Sequence, residues 1–128
     1  MSNAATLLIG RILLSAIFIL AGLNKLGDPA GTAGYMTSLG LPLASVGVWL
    51  VILLEVLGGI AVLIGFMTAP ASLALALFCI VSAFLAHFNL GDQTQFVMFF
   101  KNLAIAGGFL VLAAHGPGSI SVDARRNG

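Results

Sequence analysis

The sequence predicts an all-α integral membrane protein, a bundle of four transmembrane helices with a long first loop. Three observations predict it. The 128 residues are 60% hydrophobic and 7% charged, with a mean hydropathy of +1.16, where a soluble domain is roughly 45–50% apolar and 25% charged. A small domain in water leaves a large share of its chain exposed, whereas in lipid apolar faces may point outward. Four stretches supply the roughly 20 apolar residues that a spanning helix needs at about 1.5 Å each, and the breaks between them carry turn formers.

The first span covers residues 5–26 and is interrupted only by Arg11. Gly27-Asp28-Pro29 ends it, because proline cannot continue a helix and glycine frees the turn. With no basic region ahead of its apolar core, it is expected to be retained rather than cleaved. The second span, 46–67, has Glu55 near its middle. Thr68-Ala69-Pro70 is a tight link in which Thr68 can cap and Pro70 suits a first turn. The third span, 70–89, ends in the polar turn Asn89-Leu90-Gly91-Asp92-Gln93. The fourth, 98–115, carries Lys101 in its first turn and stops at Gly116-Pro117-Gly118. The whole chain, 1–128, reads as one transmembrane domain. Residues 28–45 form the long connection. Tyr35, Met36, Leu39, Leu41 and Pro42 among its glycines suggest that part of it lies in the interface or folds back over the bundle.

Several function classes fall away. A net charge of +1 provides no nucleic-acid surface and no acidic tail. Cys79 is the sole cysteine; it has no internal disulfide partner and reads as a small apolar filler. No serine triad or phosphate loop is present. His87 and His115 end successive antiparallel helices, about 25 Å apart, so they cannot share one iron. No haem or metal is indicated. The terminal side carries Arg11, Arg125 and Arg126 against Lys25 and Lys101 on the other, which places both termini in the cytoplasm. Small residues (Gly58, Gly59, Ala61 and Gly65; Ala104, Ala106, Gly107 and Gly108) are expected to face other helices of the same bundle, with a homo-oligomer surface as the alternative.

Charges inside a span cost roughly 2.5–3.5 kcal/mol at a helix centre on insertion scales. Counting from each helix centre, Glu55 lies about 2 Å and Arg11 about 7 Å from the middle on opposite sides, Lys101 about 8 Å out and Lys25 about 14 Å out. Glu55 is thus the one deep acid. An ion pair of Arg11 with Glu55 is the structural expectation, with Lys101 as the other partner within reach in depth. As functional readings, Glu55 and His87 are candidates for proton handling, and Lys101, Asn102, Tyr35 and Lys25 for ligand binding. The latter four gather with His87 at the pole away from the termini, under the long loop, as in a small-molecule site between helices. For Lys25, snorkelling to the headgroups is the simpler reading.

In order and spacing these residues resemble the DoxX family of small bacterial inner-membrane proteins. The resemblance rests on Arg11, Gly22 and Lys25, on Tyr35-Met36 with Leu39-Gly40-Leu41-Pro42, and on Glu55 with Gly58-Gly59. It continues through Gly65-Phe66-Met67-Thr68, His87, Lys101-Asn102-Leu103 with Gly107-Gly108, and Gly116 to Asp123. It implies a four-helix bundle in the bacterial inner membrane. Some relatives are subunits of quinone-linked oxidoreductases, so it also implies a membrane subunit holding a quinone, with a protein partner supplying the redox chemistry. The alternatives are a non-enzymatic scaffold or assembly module for a partner complex and, third, a small transporter. Whether the chain is an enzyme stays open at this point.

Overall fold

The computed structural model describes residues 2–127, which form six helices and, among the described residues, no strand. Four are long and apolar enough to cross a membrane: α1 (Asn3–Gly27), α3 (Ala44–Ile64), α4 (Thr68–Ala86) and α5 (Gln93–His115). Two short helices complete the chain, α2 (Pro29–Ser38) in the long connection and α6 (Val122–Asn127) at the end. Helix α1 lies on α3, α4 lies on α5, and α3 joins the two pairs through α4.

Three helix starts, those of α1, α2 and α5, have a local cause. Ser2 accepts from the Ala5 N–H at 3.1 Å, Asp28 from Gly31 at 3.0 Å and Asp92 from Gln95 at 3.0 Å, so a side-chain oxygen satisfies one orphan donor at each end. Asp28 followed by Pro29 begins α2 inside what the sequence suggests is a loop. Asp92 likewise starts α5 five residues before the expected boundary, because a cap outweighs the polar character of Gln93 and Gln95.

The α3–α4 link is three residues long. Gly65 takes the left-handed conformation (φ 72°), and Phe66 N–H reaches back to the Ala61 carbonyl at 2.8 Å, which closes the helix C-terminus. Thr68 was expected to cap α4, but it is the first helical residue. The cap comes from Asp123, which accepts from Met67 N at 2.8 Å, Thr68 N at 2.9 Å and the Thr68 hydroxyl at 2.7 Å. A carboxylate at a helix N-terminus is favoured by both the orphan donors and the dipole.

The bundle interior is read most clearly from two seams. The buried residues of α1 are Arg11, Ser15, Phe18 and Gly22; those of α3 include Val48, Ile52, Glu55, Gly59 and Val62. Both sets alternate steps of four and three, the spacing of a left-handed antiparallel seam. Glycines let the seam close: a Cβ on Gly59 would stand 2.7 Å from Ile19 Cγ1 and 3.4 Å from the Ser15 carbonyl oxygen. Packing of this kind, rather than expulsion from water, holds helices together in lipid. Phe18 then meets Phe109 edge-on at 5.4 Å, joining α1 to the α4–α5 pair around Leu75, Cys79 and Ala106. Of the expected small-residue stripes, Gly59 and Ala106 are buried, while Ala104 and Gly107 face outward.

Candidate functional site

The expected ion pair of Arg11 with Glu55 does not form. Arg11 is 2% exposed and donates to four backbone carbonyls: Val62 at 3.0 Å, Leu63 at 2.8 Å, Pro117 at 2.8 Å and Ile120 at 2.7 Å. Two of these belong to the C-terminal turn of α3, where unsatisfied carbonyls and the helix dipole favour a cation. Arg11 therefore joins α3 to the C-terminal segment, and Glu55 is left to another partner.

That partner is Lys25. Its Nζ lies 2.8 Å from Glu55 Oε1. Depth alone had placed Lys25 among the headgroups, but rotation decides. Lys25 follows Gly22 by three residues on the inward seam, and Gly22 packs on Glu55 and Val56. The long lysine stem then turns into the bundle instead of outward. The contact is close in distance but off the direction of a hydrogen bond, so Glu55 Oε1 is buried without a well-aligned donor. The Coulomb attraction of the pair persists, because it depends on distance more than on angle.

Glu55 and Lys25 line a cavity of about 590 Å³ at the end of the bundle away from the termini. Helix α2 roofs it with Thr32, Tyr35 and Met36. Helices α4 and α5 contribute Ser82, His87, Lys101 and Asn102. Asn102 Nδ2 donates to Ser82 Oγ at 3.1 Å, and Ser82 Oγ donates to the Cys79 carbonyl at 3.2 Å. His87 Nδ1 lies 2.7 Å from Gln95 Oε1; with that oxygen as acceptor, Nδ1 carries the proton and Nε2 is a proton acceptor. Lys101 makes no ion pair among the described residues. Its ammonium remains available to an acceptor in the cavity.

The structure thus gathers Lys25, Tyr35, Glu55, His87, Lys101 and Asn102 around one space. Sequence reasoning missed Ser82, the partner of Asn102, and Asp123, the clasp at the far end. Ser82 was signalled as a hydroxyl one turn beyond Cys79 on α4. Asp123 had no local signal, because its partners lie 55 and 56 residues away. Asp123 lies outside the spans. Desolvation raises its pKa, but the hydrogen bonds from Thr68 and Met67 and the charge of Arg126 outweigh that and hold it below the usual carboxylate range.

Fold and cavity together define a helical integral membrane protein with a mostly apolar cavity at one end of the bundle. The chain belongs to the DoxX family, whose model matches residues 6–88. It is 47% identical over 116 residues to inner membrane protein YqjF of Escherichia coli (strain K12), covering 91% of this chain and 88% of that protein. To inner membrane protein YphA of the same organism it is 37% identical over 125 residues, covering 93% and 89%. No solved structure matches it. The family match ends at Phe88, before Lys101 and Asn102.

Proposed function

We propose that this chain is an inner-membrane protein that holds a quinone-type molecule in the 590 Å³ cavity, as the membrane subunit of an oxidoreductase whose electron carrier is a separate protein. The observation that carries the reading is the composition of that cavity. Its volume falls in the usual range of small-molecule sites, about 300–1,000 Å³, which are mostly apolar with a few convergent polar groups. A flat apolar ring bearing oxygen acceptors suits Lys101 and Asn102 on one wall. Glu55 Oε1, buried without an aligned donor, would accept from a hydroxyl of the reduced ring.

A bound quinone would supply carrier chemistry for two electrons and two protons. The residues of the chain would do the rest. The Lys101 ammonium would bind a ring oxygen and stabilise negative charge there. His87 Nε2 and Glu55 would exchange protons with the ring oxygens. Helix α2 would keep water from the site. The relatives' inner-membrane names support the location. Arg125 and Arg126, exposed on the terminal side, support cytoplasmic termini.

A second reading, a membrane scaffold for a partner complex, is favoured by the Lys25–Glu55 pair, which ties α1 to α3 without any ligand. Lipid mass spectrometry of protein purified from native membranes in mild detergent separates the two. A quinone retained near one per chain, and lost in a folded Lys101→Ala variant, supports the site. Quinone at the lipid background in well-folded wild-type protein supports the scaffold.

A further inference from the structure

A second cavity, about 440 Å³, opens at the terminal end of the bundle. Its wall is apolar, from Leu8 on α1 and Leu63 and Ile64 on α3, and its rim carries Ser119 and Arg125. Arg11 closes its floor, but that guanidinium already serves four carbonyls. The acid of this segment, Asp123, is engaged by Met67 and Thr68. Arg126 lies over the Phe66 ring at 5.3 Å. Arg125 is different: it is exposed and makes no ion pair among the described residues.

We propose that this groove is a binding site for an anionic phospholipid, with the phosphate on Arg125 and the Ser119 hydroxyl and one acyl chain along Leu8, Leu63 and Ile64. Three features point to this occupant. The groove is apolar on the side of the spans and polar at its rim, the same sequence of chemistry that a lipid presents at the bilayer boundary. The two charged residues that line it, Arg11 and Arg125, are both positive, and the nearby acid Asp123 is already engaged by Met67 and Thr68. A guanidinium fork matches phosphate oxygens in a bidentate way that an ammonium cannot. A zwitterionic headgroup gains less here, because its own cation would find the one nearby carboxylate already held by α4. Basic pockets beside transmembrane helices on a cytoplasmic face favour anionic headgroups for the same electrostatic reason.

Native mass spectrometry of the full chain in a neutral detergent tests the assignment, with phosphatidylglycerol, phosphatidylcholine and inorganic phosphate as probes. The expected result is one phosphatidylglycerol retained in preference to phosphatidylcholine. Arg125→Ala should weaken that retention about fivefold, the effect of one basic residue near an anionic headgroup, and Arg126→Ala should leave most of it. Arg125→Lys, which keeps the charge but loses the fork, should fall between wild type and Arg125→Ala, and helix content by circular dichroism confirms that each variant is folded. Equal retention of the two lipids, or an unchanged preference in folded Arg125→Ala, overturns the proposal. Displacement of the lipid by millimolar inorganic phosphate also overturns it, assigning the site to a free anion.

Discussion

Replacing Arg11 should be among the most damaging single changes in this chain, although Arg11 does not line the cavity under α2. In Arg11→Met the stem length is kept and the charge and donors are removed. The Val62 carbonyl retains a bond from Gly65 N–H at 3.2 Å. The carbonyls of Leu63, Pro117 and Ile120 have no other donor among the described residues. An orphaned buried polar group costs roughly 1–3 kcal/mol. Three would sum to about 3–9 kcal/mol, but the bonds share one guanidinium and are not additive, and water can reach the partly buried carbonyls of the C-terminal segment. We therefore expect a loss of roughly 3–5 kcal/mol, the lower part of that sum. Arg11→Lys should lose about half of that, since a single ammonium cannot span carbonyls on two segments. Unfolding in mixed micelles with increasing sodium dodecyl sulfate, followed by circular dichroism, measures both. A cost below about 1 kcal/mol for Arg11→Met would refute the reasoning, since so small a loss is no more than one ordinary hydrogen bond contributes.

Other expectations follow from the same contacts. The Asp123 clasp should contribute stability that is fully present above the ordinary aspartate value near pH 4 and is lost as pH falls through its lower folded value; in Asp123→Asn this acid-dependent loss should vanish from the unfolding curve. Gly59→Ala places a methyl against Ile19 and should cost about 1–3 kcal/mol as overpacking, whereas Gly107→Ala, with nothing within 4 Å, should be neutral or slightly stabilising; equal effects would contradict the seam. Glu55→Gln and Lys25→Met should each destabilise, yet the double variant should lose less than the sum, because neither partner is then left as an unpaired charge; strict additivity in a double-mutant cycle would show that the pair carries no coupling.

Much of this architecture was legible in the sequence, because the bilayer imposes it. Length and hydropathy sufficed for the four spans. The polar pole was legible because antiparallel helices bring Lys25, His87 and Lys101 to the same end. Helix rotation was the missing quantity. Depth counting favoured Arg11 or Lys101 as the partner of Glu55 and sent Lys25 outward. The four-three alternation of Arg11, Ser15, Phe18 and Gly22 on α1, continued at Lys25, contained the answer, as did Ile52, Glu55 and Gly59 on α3. Helix α2 escaped because Gly31 and Gly34 blur its periodicity, although Asp28-Pro29 is a start signal. The Arg11 and Asp123 clasps escaped for a different reason. Both act on backbone groups of distant segments, and carbonyls and N–H groups leave no trace in residue identity.

Photolabelling tests the central claim most directly, that the cavity under α2 is a quinone site. An azido-quinone analogue would be irradiated with the protein in native-like membrane, and the labelled peptides mapped. The expected result is labelling within the cavity wall, at Thr32 to Leu41 of the roof or Val81 to His87 of α4, suppressed by excess unlabelled quinone and by Lys101→Ala. Labelling spread over the lipid-facing residues, such as Leu110 and Val111 on α5, with no effect of competitor, would contradict it.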